Sequence, residues 1–386
     1  MDIKNQSELV ENHGIITGQI TNTANNATVY VSLHQRNGEF YDLVNRGVLL
    51  ADNRFIFHVQ PGSYFISAFA DQNNDGEYQS GESAAYLGME NQVPEDITVH
   101  QRETATIDPL LITAPIPPPT GVEPRIALTK AAENIGRIVS LNEPMFAMDL
   151  APTGMWRPLD YLSQYGGGLM LLQAYEAEKI PVLFVHGIAG TALSFEPVVA
   201  AMDRDKFQPW ILQYPSGLRL DIVSDYLIGA LRQLQARTGF GQIIVVAHSM
   251  GGLVTRSFVM KHQQSDSAYD LKMVMTINSP LFGMDSAASG VAHSPVVVPA
   301  WRDVASGSEF IQTLHQWTWP STIPYELFFS YLPGETGDGV VALNSQLSVS
   351  LQNEAVGIFG FQAQHAGVLK EPEFISKFHQ TLANYQ

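Results

Sequence analysis

Ser249 stands in IIVVAHSMGGLVTRSFV, residues 243–259, where four consecutive apolar residues give way to Ala247, His248, Ser249, Met250 and two glycines before apolar residues resume at helical spacing. A serine hydroxyl is a weak nucleophile until a base takes its proton, and it must stand clear of a sheet to meet a substrate. A sharp strand-to-helix turn lifts it out, but crowds the positions two before and two after it. Ala247 and Gly251 are small enough for both. The usual pattern is G-x-S-x-G, so Ala247 adds one methyl group at its first position. Gly252 lets the new helix pack against the strand, and the amide of Met250 at the start of that helix is a candidate donor to a developing oxyanion. A packed turn with a capping serine is the plainer alternative. It explains neither the second glycine nor the segments that follow.

A second signal lies upstream in PVLFVHGIAGTALSF, where an apolar run ends at His186 and Gly187. Glycine allows close approach of the backbone to a ligand, which makes the amide of Ile188 the natural second oxyanion donor. His186 is better suited to shaping that loop than to acting as a base. The histidines downstream of Ser249 are His262, His293, His315, His365 and His379. His365 follows the apolar run Val356 to Phe361 and precedes a small-residue turn, which puts it on a loop after a strand. His262 and His379 fall within helical patterns, and His293 and His315 within an aromatic-rich insertion.

These segments resemble the α/β-hydrolase superfamily, specifically bacterial lipases and esterases with an HG oxyanion loop and an AHSMGG elbow. GMWRPLDYL, KIPVLFVHGIAGT, FQPWILQYPSG, VVAHSMGGLVTRSFV, INSPLFG and GDGVV carry the resemblance over about residues 150–370. It implies the order nucleophile, acid, histidine. On that order His365 is the base, and Asp338, in ETGDGVVAL after the apolar ELFFSYL, is the acid that orients it; Glu335 in the same loop is the competitor. The resemblance implies a serine hydrolase of carboxylic esters, with lipid or acyl esters as substrate, that needs no cofactor for catalysis. A thioesterase or acyltransferase on the same triad is the alternative, and a non-catalytic surface-binding protein a more distant one.

A different constellation lies near the N-terminus. DQNNDGEYQSGE, residues 71–82, sets Asp71, Asn73 and Asp75 at alternate positions, Gly76 at the turn, Glu77 with its carbonyl and Glu82 at the close, the spacing of a calcium loop. Its flanks are a β-strand and AAYLG, so the expectation is a structural Ca2+ clamp between strands. A solvated acidic turn is the alternative.

The elements around these residues change character along the chain. From Gly14 to about Ile112 the apolar period is two, as in Val29, Val31 and Leu33, and the turns are rich in Asn, Gly and Pro. Residues 1–113 therefore read as a small antiparallel β-sandwich, weakly resembling carboxypeptidase-regulatory-like or bacterial surface modules. APIPPPTGVEP, residues 114–124, reads as a stiff linker. From 125 to 386 apolar strands alternate with amphipathic helices, which predicts a parallel sheet, an α/β class, and on the resemblance an α/β-hydrolase fold. Residues 283–320 interrupt the alternation with Val296 to Val298, Trp301, Phe310, Leu314, Trp317 and Trp319, either as a cap over the serine or as a helical excursion packed into the core.

Composition narrows the partners. The chain of 386 residues has 21 Lys plus Arg against 38 Asp plus Glu, a net charge of −17 that disfavours nucleic acid and anionic membranes. It has no cysteine, so thiol catalysis and disulfides are out. No apolar run is long enough for an integral membrane segment, and MDIKNQSELVENHG has no signal-peptide core. The β-sandwich and its calcium loop lean toward an extracytoplasmic address. Oligomeric state has no signal in the sequence.

Overall fold

The computed structural model describes residues 14–49, 52–73, 78–89, 93–122, 129–265, 267–294 and 297–386. The chain divides into two compact units, Met1–Ala127 and Leu128–Gln386.

The first unit is all β. One sheet holds β1 (Gly14–Asn22), β4 (Arg54–Val59), β8 (Thr104–Thr106) and β9 (Leu110–Ile112). The other runs in the order β10 (Ala114–Pro115), β6 (Ser83–Tyr86), β5 (Gly62–Asp71), β2 (Thr28–Asn37), β3 (Phe40–Val48), with β7 (Ile97–Val99) also on β5. Alternation along each strand turns Ile16, Ile20, Phe55 and Phe57 of one sheet toward Val31, Leu33, Ile66 and Ala68 of the other, and these form a single core. The antiparallel expectation needs one correction. β8 and β9 run parallel to β1, because the chain reaches them from β7 on the opposite sheet rather than through a hairpin.

The second unit is built on a sheet in the order β11 (Gly168–Leu171), β13 (Phe207–Gln213), β12 (Ile180–Val185), β14 (Gln242–His248), β15 (Asp270–Ile277), β16 (Tyr325–Tyr331), β17 (Gly357–Gln362). Only the β11–β13 pairing is antiparallel among the described residues. The central strands are apolar on both faces because helices cover both. Leu183, Val185, Val245 and Ala247 pack under helices Leu220–Thr238 and Gly251–Gln263. Their neighbours Val182, Phe184, Ile244 and Val246 point the other way, to Val198 and Val199 of one helix and Phe374 and Phe378 of helix Pro372–Ala383. No helix among the described residues is long and apolar enough to cross a membrane.

Residues 283–320 form three helices, Asp285–His293, Pro299–Val304 and Glu309–Gln316, with Pro295 and Val296 outside the described residues. Val298, Ala300, Val304, Ile311, Leu314 and Trp319 join the core that also holds β12 and β14. Two polar ties fasten the segment. The buried Asp303 carboxylate accepts from Arg219 Nε at 2.8 Å and from the Leu220 amide at 2.7 Å, satisfying one of the free donors at a helix start. Arg256, fully buried, donates from Nε to Leu314 O at 3.3 Å and twice to Glu354 at 2.7 and 2.8 Å, and the rings of Trp317 and Trp319 lie about its guanidinium. Of the two expectations for these apolar residues, packing into the core describes Leu314 and Trp319, while Trp301 is half-buried, edge-on to Trp156 at 5.4 Å.

Candidate active site

The turn after β14 is tight. Ser249 has φ 55°, a left-handed conformation that a non-glycine residue adopts only where its surroundings impose it. Its amide donates to Ile277 O at 2.8 Å, so the turn is held to the neighbouring strand. A Cβ on Gly251 would run into the carbonyl oxygen of Val185 and lie 2.7 Å from that of His186; one on Gly252 would strike the side chain of Ser279. Both glycines are therefore required by space. Ala247 is still a strand residue, paired with Val185 and Thr276, and its methyl group sits in the core. That is why alanine substitutes for the first glycine of the pattern.

The structure brings Ser249, His365 and Asp338 together. His365 Nδ1 lies 2.7 Å from Asp338 Oδ2, and its Nε2 lies 2.8 Å from Ser249 Oγ. An ionised carboxylate only accepts, so Nδ1 carries the proton; Nε2 of the neutral ring then accepts, and the serine hydroxyl donates. Asp338 is buried, and its other oxygen accepts the amides of Val340 and Val341 at 2.9 and 2.7 Å. Those three donors fix the direction of the carboxylate. Ser249 is 5 % exposed and the His365 side chain 12 %, so the pair is largely screened from solvent. Glu335, the competing acid, is exposed.

The other histidines lie in different settings. His262 packs between Phe258 and Tyr269. His315 stacks on Phe282 with Nε2 2.7 Å from Leu281 O, and His293 ends an exposed helix. His379 lies on helix Pro372–Ala383. His186 is buried, stacked on Tyr214 at 4.3 Å, with Nδ1 2.9 Å from Gly187 O; burial pulls its imidazole down to about 4, so it is neutral at pH 7. It shapes the loop. A Cβ on Gly187 would sit 2.6 Å from Ser249 Cβ, which places Ile188, the next residue, beside the serine. Ala189, also at positive φ, donates its amide to Ser216 Oγ at 3.0 Å, anchoring the far side of that loop. Met250 immediately precedes helix Gly251–Gln263.

Two residues that sequence reasoning passed over touch the site. His248 Nε2 and Asn278 Nδ2 both donate to the main-chain oxygen of His365, at 3.0 and 2.9 Å. The signal available was modest: a polar residue where an apolar run ends, in VVAHS and again in MTINS.

The calcium constellation falls partly outside the described residues, where Asp75 and Glu77 lie. Asp71 is buried at the end of β5, and Asn73 follows it in a bend. Glu82 accepts the amides of Gln72 and Gln79, each at 2.9 Å, so its carboxylate closes the loop through the main chain. Among the described residues no group of three or more histidines or acids is placed to hold a metal.

The second unit is an α/β-hydrolase domain, and residues 182–358 match the family described as Alpha/beta hydrolase family. The match includes Ser249 and Asp338 and stops short of His365. The fold is similar to that of a Bacillus licheniformis lipase in mature form, with 16% identity over 54% of this chain and 95% of that chain and a TM-score of 0.44. It is similar also to Aspergillus fumigatus lipase B, with 19% identity over 56% of each chain and a TM-score of 0.42. For the monoacylglycerol lipase of Paleococcus ferrophilus the values are 12%, 53% of this chain, 93% of that chain and 0.38. No curated protein matches the chain.

Proposed function

We propose that this α/β hydrolase cleaves carboxylic esters, of acyl or lipid type, through an acyl-enzyme on Ser249. The observation that carries the reading is the unbroken relay from Ser249 Oγ through His365 to Asp338, at 2.8 and 2.7 Å. Ser249 Oγ attacks the ester carbonyl carbon as its proton passes to His365 Nε2, and Asp338 stabilises the imidazolium. The carbonyl oxygen, now anionic, takes hydrogen bonds from the amides of Ile188 and Met250. Collapse expels the alcohol with the proton from His365. Water then repeats the sequence on the acyl-enzyme, releasing the acid and restoring the serine.

The apolar surroundings support an acyl group on the substrate. Ile188 follows Gly187; the next residue, Ala189, donates its amide to Ser216 Oγ of the segment after β13, and the carbonyl of Gly217 in that segment accepts the Ala300 amide at 3.1 Å. Leu218, Trp156 and Trp301 extend this side as half-buried apolar side chains. Apolar side chains of this kind suit hydrocarbon better than a charged substituent.

A fluorophosphonate probe and a series of p-nitrophenyl esters of increasing chain length test the proposal together. The native chain should be labelled and should favour acyl chains over acetate. Ser249→Ala should lose the label and about a million-fold in turnover. Labelling of Ser249→Ala at the native rate would refute the assignment.

A further inference from the structure

Building on that proposed reading, we infer that His248 and Asn278 are positioning residues that clasp the main chain of His365 and so set the distance between base and nucleophile. The need for a clasp follows from the sheet order. Ser249 leaves the end of β14, whereas His365 lies on the loop after β17, three strands away and about 14 Å across at ordinary strand spacing. The loop must therefore reach back over the ends of β16 and β15, and loops that cross a sheet end are mobile unless their polar groups are held.

Every main-chain polar group of His365 is held. Its amide donates to Asp338 O at 3.0 Å. Its carbonyl oxygen accepts from His248 Nε2 at 3.0 Å and from Asn278 Nδ2 at 2.9 Å. His248 is the last residue of β14, directly before the nucleophile, and Asn278 directly follows β15. The anchors are themselves rigid. Asn278 is fully buried with φ 50°, which asparagine tolerates better than most residues, and its amide donates to Phe328 O at 2.9 Å. The preceding carbonyl, of Ile277, accepts the amide of Ser249. Nucleophile turn and base loop thus hang from the same strand end.

The chemistry of His248 fits a permanent donor. Burial, and then repulsion by the neighbouring His365 ring 5.0 Å away, pull its imidazole down to about 3. It therefore stays neutral, with its one N–H on Nε2 facing the carbonyl, and adds no charge beside the base. Neither residue touches the reacting atoms. Each acts through His365.

The test uses the full chain and p-nitrophenyl ester kinetics. His248→Phe keeps a ring and removes the donor; Asn278→Ala removes the other. Each should lower kcat by about 100-fold, the scale of an ångström-size misplacement, with KM unchanged. His248→Gln, which retains an N–H within reach, should stay within about threefold of native turnover. In the His365→Ala background, His248→Phe should have no further effect, because the residue it positions is gone. Native kcat in both single variants would overturn the inference, as would an equal loss from His248→Phe with and without His365. If His248→Phe does not fold, Asn278→Ala in the two backgrounds decides alone. The parent reading fails separately, if His365→Ala itself keeps native turnover.

Discussion

Acidification from about pH 8 to about pH 5 should remove about 3 kcal/mol of stability from the second unit. The main cause is the pair of buried neutral imidazoles beside the Ser249 turn, His186 and His248, which burial pulls down to about 4 and about 3. In the unfolded chain each titrates near about 6.5. As the pH falls through that value the unfolded chain takes up two protons that the folded unit refuses, so stability present at neutral pH drains away. At pH 5 the deficit is about 1.5 pH units for each ring, or about 2 kcal/mol apiece. Asp160 works in the opposite direction. Burial raises its carboxyl to about 6 against an ordinary 3.8, with Arg157 opposing, so the folded unit binds that proton first and regains stability on acidification. That offset is about 1 kcal/mol over the same interval, and the histidines prevail. The assay is direct, since all five tryptophans, at 156, 210, 301, 317 and 319, lie in the second unit. Urea unfolding followed by tryptophan fluorescence in the intact chain should show the midpoint dropping with acid, and His186→Gln should remove about two thirds of the dependence. A midpoint unchanged between pH 8 and 5 would refute the reasoning.

Three further outcomes are expected. Gly251→Ala drives a methyl group against two carbonyl oxygens of the main chain, Val185 and His186, so the elbow must shift; turnover should fall by about 100-fold and the melting temperature should drop, and native values of both would show that the turn has room. Arg256→Met leaves the largely buried Glu354 carboxylate without its twin hydrogen bonds, at a cost of about 3 kcal/mol in urea unfolding; a loss under about 1 kcal/mol would mean the pair contributes packing only. If the 71–82 loop holds calcium, millimolar calcium should raise the calorimetric melting temperature of the first unit and Asp71→Asn should abolish the rise, whereas equal melting with calcium or chelator would leave the loop closed by Glu82 alone.

Much of the fold was legible because periodicity reports burial. Buried parallel strands read as the apolar runs IPVLFV and QIIVVAH, and the sandwich strands as alternation, without reference to distant partners. The elbow was legible for a local reason also: two glycines are forced by collisions within one turn. Parallel pairing of β8 and β9 was hidden, since strands of three residues carry too little pattern to reveal direction. His248 and Asn278 were hidden for another reason. Their partner is a main-chain oxygen more than 80 residues away, and a carbonyl leaves no trace in residue type. The helices of 283–320 stood between two descriptions because an aromatic cluster has the same composition whether it faces a core or a substrate.

β17 is the outermost strand of its sheet, bonded to β16, and the loop that carries His365 begins at its end. Outer strands are generally the first to open. When this one peels away it pulls on the loop that carries His365, against the hold of His248 and Asn278, while Ser249, carried by an interior strand, stays in place. On the proposed reading, turnover is lost once that edge frays and the two-residue hold gives way, well before global collapse, and heat or denaturant should silence it while the tryptophans still report an intact interior.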